Sequence, residues 1–371
     1  MKFNCEKKLL QDAIDVASRA VASKSSIPAL EGLLLQAAGQ LTISGYDMKT
    51  GIRTQVDAEV TEPGEIVLKA RLFSDIIRKM PNDMVTLSVD SKQMVHLHCG
   101  AADVDIPGLA AGDYPELPEV EDDQSLTMQQ KILRTMIDEV AFAVSTNETR
   151  PIHTGVLFEV GARDLTMVAV DGFRLAVRRE AMERAEGGDF SFVAPGAALN
   201  QIKNICEDTE DPVEITLGKR HILFRMAETE LICRRLEGEF LDYRAAIPRK
   251  NPISVEVDTK LLAESIDRVS VVIINDKLKS PVRCVFDHDK VLLSVRTGDG
   301  EARDVCPVDG DGQGLEIGFN NRYLLDALRY APASNVRVEL NTGVSPAIIV
   351  PKEGEENFLY MVLPVRLKSA E

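Results

Sequence analysis

The stretch Leu9-Leu10-Gln11-Asp12-Ala13-Ile14-Asp15-Val16-Ala17 has two counterparts further along this chain. They are Ile132-Leu133-Arg134-Thr135-Met136-Ile137-Asp138-Glu139-Val140 and Leu261-Leu262-Ala263-Glu264-Ser265-Ile266-Asp267-Arg268-Val269. In each, the second residue of the opening apolar pair and the Ile are four apart, and a third apolar residue follows three later. That spacing is the stripe of an amphipathic helix, with the Asp just off the buried face. Thr127 with Gln130 makes a capping box before the second copy, and Asp258 an N-cap for the third.

The segments after each helix repeat as well. A proline comes eighteen or nineteen residues after the second Leu of the motif, at Pro28, Pro151 and Pro281. Strand-like runs come next at 32–35, 155–158 and 284–286, then a turn and a second strand ending near Asp47, Asp171 and Asp299. These aspartates recur once per copy, which marks them as turn residues and not as a catalytic set. Second helical patterns lie at 70–80, 196–206 and 321–331, and paired β-rich runs close each copy at 84–109, 213–238 and 336–365. Asp113-Tyr114 and Asp242-Tyr243 echo each other near the ends of the first two copies.

Several coincidences in one order, offset by about 123 to 130 residues, mean triplication. The fold class is α+β, with three tandem repeats, each a pair of helices packed on curved antiparallel sheet. Boundaries fall in the acidic, proline-bearing segment 115–124 and in 247–252, giving domains 1–121, 122–249 and 250–371. A length of 371 residues suits several cores better than one.

Composition narrows the function. Aromatics are only 5% with no Trp, too few for a surface that stacks single-stranded bases. The net charge of -16 speaks against a tight DNA binder, whose affinity comes from neutralised phosphates. That charge is unevenly spread: the six helical segments sum to about +4, leaving about -20 elsewhere. The largest excess is Lys69, Arg71, Arg78 and Lys79 against Asp75. Cys5, Cys99, Cys206, Cys233, Cys284 and Cys306 stand singly, which reads as reduced thiols in cytoplasmic cores. An N-terminus that turns polar at Asn4, and no long apolar run, point to a soluble intracellular protein.

Enzymatic signals are thin. His96-x-His98-Cys99 lies in a β-rich run with no further ligand cluster, so no metal is expected. Phosphate-loop, nucleophile-elbow and zincin motifs are absent from the sequence.

The repeats lead to segments that resemble a known family. Val170-Asp171-Gly172-Phe173-Arg174-Leu175-Ala176 resembles Thr-Asp-Gly-His-Arg-Leu-Ala of the bacterial DNA sliding clamps, the DNA polymerase III beta subunits. Phe240-Leu241-Asp242-Tyr243-Arg244 resembles their Phe-Pro-Asp-Tyr-Arg, and Ile317-Gly318-Phe319-Asn320 with Tyr323 their third-domain helix start. Val362-Leu363-Pro364-Val365-Arg366-Leu367 is similar to their Met-Pro-Met-Arg-Leu ending, and Met1-Lys2-Phe3 fits their opening. The resemblance spans the whole chain.

It implies a head-to-tail homodimer forming a closed ring, with helices lining the hole, that encircles double-stranded DNA and makes the replicative polymerase processive. It implies no catalysis and no cofactor. Partners would be the DNA polymerase III alpha subunit, an ATP-driven clamp loader, other DNA polymerases and repair proteins, all docking through short linear motifs. A ring held by topology needs only weak phosphate contact, since tight binding would stop it sliding, and an acidic outer surface would keep DNA in the hole.

The resemblance also assigns sites. The motif pocket would have Gly172, Phe173, Arg174 and Leu175 as one wall, with Leu241 and Ala246 beside them. Val344, Val362, Leu363, Pro364 and Val365 would complete it, with Asn320 and Tyr323 at the rim and His153, Val170, Leu278 and Arg366 contributing. Lys24 corresponds to a DNA-contacting Arg, and Asn147 and Arg150 lie in a loop with further DNA contacts. For the subunit contact, Val104 and Ile106 align with one apolar pair, and Val272 and Ile273 with its partners.

The sequence departs from the family in several places. Phe173 replaces a His, Leu241 a Pro and Ala245 an Arg, making the pocket more apolar. Ile152 and His153 replace two Tyr of the DNA loop, and the tail 368–371 runs past the usual end. Two other readings stay open at this point: a peptide-binding adaptor that never encloses DNA, and an enzyme with an unfamiliar site.

Overall fold

The structure, a computed structural model, describes every residue except 122–123, 183–184, 187, 274–279, 354–356 and 368–371. The first repeat runs β1 (Lys2–Glu6), α1 (Lys7–Ala17), β2 (Gly32–Ala38), β3 (Gln40–Tyr46), β4 (Thr50–Val56), β5 (Glu59–Glu62) and β6 (Gly64–Lys69). It closes with α2 (Ala70–Lys79), β7 (Met84–Val89), β8 (Met94–Cys99) and β9 (Ala102–Pro107). The second runs β10 (Gln124–Gln129), α3 (Gln130–Ala141), β11 (Gly155–Val160), β12 (Asp164–Val170), β13 (Arg174–Ala181), β14 (Ala185–Glu186) and β15 (Phe190–Pro195). It closes with α4 (Gly196–Ile205), β16 (Pro212–Leu217), β17 (His221–Met226) and β18 (Thr229–Arg234).

A short helix, α5 (Tyr243–Ala246), links it to the third repeat. That repeat runs β19 (Ile253–Asp258), α6 (Thr259–Ser270), β20 (Val282–Phe286), β21 (Lys290–Thr297), β22 (Gly300–Pro307), β23 (Asp309–Gly310) and β24 (Leu315–Phe319). It closes with α7 (Asn321–Arg329), β25 (Asn335–Leu340), β26 (Ala347–Pro351) and β27 (Phe358–Val362). All three repeats share one order: strand, helix, three strands, a short strand, a strand, helix, three strands. The paired runs expected at the end of each repeat are therefore triplets.

Chain contacts divide the molecule into two compact units. The first is residues 1–134, 184–188 and 197–235; the second is 135–183, 189–196 and 236–371. The first holds a five-stranded sheet, β5-β1-β7-β8-β9, and a nine-stranded sheet, β14-β10-β16-β17-β18-β4-β3-β2-β6. The second holds a nine-stranded sheet, β15-β11-β12-β13-β27-β26-β25-β19-β23, and a four-stranded one, β22-β21-β20-β24. Each nine-stranded sheet joins strands of two successive repeats through one antiparallel seam, β4 to β18 in the first unit and β13 to β27 in the second.

The helix stripes bury as the spacing requires. On α1, Leu10, Ala13, Ile14 and Ala17 face the core, and α6 does the same with Leu262, Ile266 and Val269. The first residue of the pair falls outside the stripe in the first and third motifs, where Leu9 and Leu261 are exposed, while Ile132 of the second is half-buried. In the first repeat α1 and α2 pack on each other, and their core takes Phe3 and Leu87 from the five-stranded sheet and Leu35 and Ile43 from the nine-stranded one. The helix pair therefore contacts two sheets, not the single sheet expected. Burying a large side chain such as Phe3 or Phe73 there contributes about 1.5–3 kcal/mol before entropy is counted.

The helix starts divide the expectations. Asp258 caps α6, its carboxylate accepting the Leu261 N–H at 2.8 Å. Thr127 caps nothing. It sits in β10 opposite Glu214, because the ladder to β16 holds residues 124–129 extended until the helix begins at Gln130. Gln130 instead accepts the Glu207 N–H with its side-chain oxygen, 3.0 Å away. All six cysteines are buried and unpaired. Among the described residues no helix is long and apolar enough to cross a membrane.

Candidate functional site

Sixteen of the seventeen residues assigned to the pocket lie in the second unit, around the seam between β13 and β27; Leu278 lies outside the described residues. The register pairs Arg174 with Val362 and Leu175 with Met361. Past the last pair, the Leu363 N–H donates to the Phe173 carbonyl at 2.9 Å and the Val365 N–H to the Gly318 carbonyl at 2.8 Å. These two bonds pin Leu363, Pro364 and Val365 beside the turn that enters β13. The exposed Arg366 follows directly.

That turn is built by Asp171. Its carboxylate accepts the N–H groups of Phe173 and Arg174 at 2.9 and 3.1 Å, and Gly172 takes the left-handed conformation at φ +91°. The turn thrusts Phe173 outward, and its ring stacks on Tyr323 at 5.8 Å between centroids. Tyr323 is set by Asn320, whose side-chain oxygen caps α7 by accepting the N–H groups of Arg322 and Tyr323. The Arg174 guanidinium also lies over the Tyr323 ring, 4.6 Å from its centre, and 5.4 Å from that of Phe142. Arg174 is also bonded to Asp171 at 2.9 Å and Asp326 at 2.5 Å, so a nearly buried cation holds the rim together.

The surface so formed is apolar. Phe173, Leu241, Val344 and Val365 are large hydrophobic side chains left exposed, at 58, 42, 71 and 38%. Large apolar groups left in water in one region mark an interaction site. Val170, Leu175 and Val362 have a different place from that implied: they are buried beneath the surface as its floor, Leu175 and Val170 in one cluster with Tyr243.

The linker carrying Leu241 and Ala246 is fastened by charge. Asp242 caps α5, the Tyr243 hydroxyl donates to Glu159 at 2.6 Å, and Arg244 grips the same carboxylate with two N–H groups at 2.9 and 2.6 Å. Burial pushes the Glu159 carboxyl up, but the bonds from Arg244 and Tyr243 outweigh it and hold it below the usual range. Ala246 is exposed. His153 meets Phe240 edge-on at 5.7 Å, and burial, helped by Arg150, holds its imidazole below the ordinary value.

The residues assigned to DNA are exposed. Lys24 stands in the first unit, between Val21 and the turn that starts at Pro28. Asn147 and Arg150 stand in the second, in the loop after α3, where the Asn147 side chain accepts the Thr149 N–H. The six long helices carry a net +4. On α2, Arg78 is partly neutralised by Asp75 and Asp15, leaving Lys69, Arg71 and Lys79 exposed to solvent.

For the subunit contact, Ile106 is buried in the first unit's own core with Val104 packed against it, while Val272 is half-buried and Ile273 buried. Val271, which the resemblance does not single out, is 62% exposed. His96 and His98 face Asp105 and Asp103 across β8 and β9 at 2.6 and 2.7 Å, while Cys99 is buried and bonds to the Pro81 carbonyl. Among the described residues no three His, Cys, Asp or Glu side chains are grouped to hold a metal.

Family models for the DNA polymerase III beta subunit match the chain in order, the N-terminal domain at residues 1–118, the central at 127–242 and the C-terminal at 244–366. The chain belongs to the DNA polymerase III beta subunit family. The beta sliding clamp of Synechococcus elongatus is 30% identical over 378 residues, covering all of both chains. A solved sliding clamp of Bacillus subtilis superposes with a TM-score of 0.94 at 28% identity, covering 99% of this chain and all of that one. A Pseudomonas aeruginosa clamp bound to griselimycin gives 0.93 at 27%, with the same coverage.

The fold is therefore three tandem clamp domains of mixed helix and sheet, and the family is non-catalytic. The sequence reading missed Asp326, Phe142 and Glu159. Asp326 was within reach, since it lies three residues after Tyr323 and so on the same face of α7. Phe142 and Glu159 come from other elements, and nothing in their local sequence marks them.

Proposed function

We propose that the chain is a DNA sliding clamp whose two copies join head to tail into a ring around duplex DNA. The domains would be 1–121, 122–249 and 250–371. The ring would act in the cytoplasm as a homodimer and tether the polymerase III alpha subunit, the clamp loader, other polymerases and repair proteins through short motifs.

The observation that carries this reading is a mismatch of edges. Each internal seam joins the third strand after one repeat's first helix to the last strand of the next repeat: β4 to β18, then β13 to β27. By that rule β22 of the third repeat and β9 of the first are left over. They are also, among the described residues, the edge strands of six or more residues that carry no further bridge. The other edges are short, or bridged at Val67–Leu109, Val193–Leu236 and Gly318–Val365. A long bare edge invites pairing, and β22 with β9 of a second copy repeats the existing seams and closes. Val104, Ile106, Val272 and Ile273 would support that contact.

Ring closure explains the charge. Lys24, Asn147, Arg150 and the mildly basic helices give weak phosphate contact, compatible with sliding, while the remaining chain is acidic. After loading on nicked circular DNA the protein should stay bound, and it should fall off when that DNA is cut to a linear form. Equal retention on both would refute encirclement, and a monomer at working concentration by light scattering would favour a simple adaptor.

The apolar surface around Phe173, Leu241, Val344 and Val365 would take the motif's hydrophobic anchors, at about 1.5–3 kcal/mol each before ordering costs. His153 and Arg366 flank it. Val365→Glu should weaken a labelled polymerase-tail peptide at least about tenfold, while the melting temperature holds. Unchanged affinity would move the site elsewhere. Leu175, which is fully buried, is no use for this test because a charge there attacks the core.

A further inference from the structure

The two seams are built alike, yet only the second presents an open apolar surface. Asp47 accepts the Lys49 and Thr50 N–H groups as Asp171 accepts those of Phe173 and Arg174. Met48 and Gly172 both take positive φ, +71° and +91°. The Lys49 carbonyl accepts the Arg234 N–H, as the Phe173 carbonyl accepts that of Leu363. Counting from these turns, Gly51 corresponds to Leu175; counting from Tyr114 and Tyr243, Leu117 corresponds to Ala246.

The sizes are reversed between the seams. In the first, the sheet position is the buried Gly51, and a Cβ there would lie 2.9 Å from the Leu117 side chain. Leu117 sits down onto that glycine and packs with Tyr46, Tyr114 and Val67. In the second, the sheet position is filled by Leu175, and the linker residue above it is an exposed alanine. What remains open at the first seam is a groove of about 1180 Å³. Its walls include the charged side chains Arg53, Arg225 and Glu230, which pair with one another. Polar surface outweighs apolar in its lining, to which Leu34, Leu117 and Val120 contribute.

We propose that Leu117 is a built-in occupant of the first seam, doing in cis what a docking peptide's apolar anchor does at the second. The residue three places after the linker tyrosine thus decides whether a seam takes a partner. Leucine closes it from within, and alanine leaves it open for an apolar motif. This rests on the peptide-docking reading of the second seam.

The test uses the full-length dimer and a fluorescein-labelled peptide from the C-terminal tail of the DNA polymerase III alpha subunit. Ala246→Leu places the first seam's linker residue at the second; because Ala246 is exposed, the fold should tolerate it. We expect at least a tenfold loss of peptide affinity with unchanged melting temperature and oligomeric state. Leu117→Ala should raise the saturating ratio from one peptide per chain to two, the added site being the weaker. Wild-type affinity in Ala246→Leu, or a ratio still at one in a folded Leu117→Ala, would each overturn the proposal. Failure of the unaltered protein to bind the peptide at all would count against the docking reading instead.

Discussion

Arg174→Ala should lower the unfolding free energy by about 3–5 kcal/mol and abolish peptide docking at the same time. The guanidinium is nearly buried, with Asp171 at 2.9 Å, Asp326 at 2.5 Å and the Phe142 and Tyr323 rings against it. Truncation leaves two carboxylates, only 12 and 23% exposed, without their shared cation. Losing the cation also removes a contact of Tyr323, so the ring stacked on Phe173 is held less firmly. Denaturant melts measure the first effect, and titration of the tail peptide under native conditions the second. Arg174→Lys keeps the charge but not the planar fork, so it should recover only part of either loss. A change in stability under about 1 kcal/mol for the alanine variant would mean the ion pairs are ornamental.

The second large effect concerns the free edges. The hairpin between β21 and β22 closes at Thr297 and Gly300 with two residues between them, a pair whose main-chain groups face each other. Alternation then turns the main-chain groups of Arg303 away from β21, toward the open side. The same count from Cys99 and Ala102 turns Asp103 of β9 outward. Transferring the registers of the two internal seams, with Leu109 equivalent to Leu236 and Val365 and Arg303 equivalent to Arg53 and Val177, sets Arg303 opposite Asp103 in the proposed contact between copies.

Proline is tolerated on an edge strand whose N–H faces solvent, but not once that strand is interior. Arg303→Pro should therefore leave a folded chain that cannot close the proposed ring. The lost hydrogen bond and its stranded carbonyl cost about 2–4 kcal/mol per seam. A ring has two such seams, so the dimer dissociation constant should rise at least about a thousandfold. Sedimentation at micromolar concentration would then report a monomer. Asp103→Pro should do the same from the other strand. A dimer of undiminished stability in both variants would disprove pairing through these edges.

Much of this architecture was legible because it rests on local periodicity. The stripe at Leu10, Ile14 and Ala17 and its two echoes need only the helical repeat of 3.6 residues, and they buried as read. Thr127 shows where local reading stops. Its capping signal is sound in isolation, but a strand partner at Glu214, far along the chain, takes its backbone into a ladder. The pocket divides in the same way. Turn chemistry at Asp171-Gly172 was readable, whereas the burial of Leu175 and the double pairing of Arg174 depend on what β27 and α7 bring alongside.

By itself, then, the sequence determined three copies of one unit, where each copy's helices and turns lie, and the family. Residues within a few positions of one another decide all of these. Only the tertiary structure decided that each nine-stranded sheet is shared between repeats, that β9 and β22 each keep one edge unpaired among the described residues, and that Leu117 lies against Gly51 while Ala246 stands exposed. Those outcomes depend on which distant strands share a ladder and which side chain fills the space above a glycine. Neither quantity has a period that a chain can display along its own length.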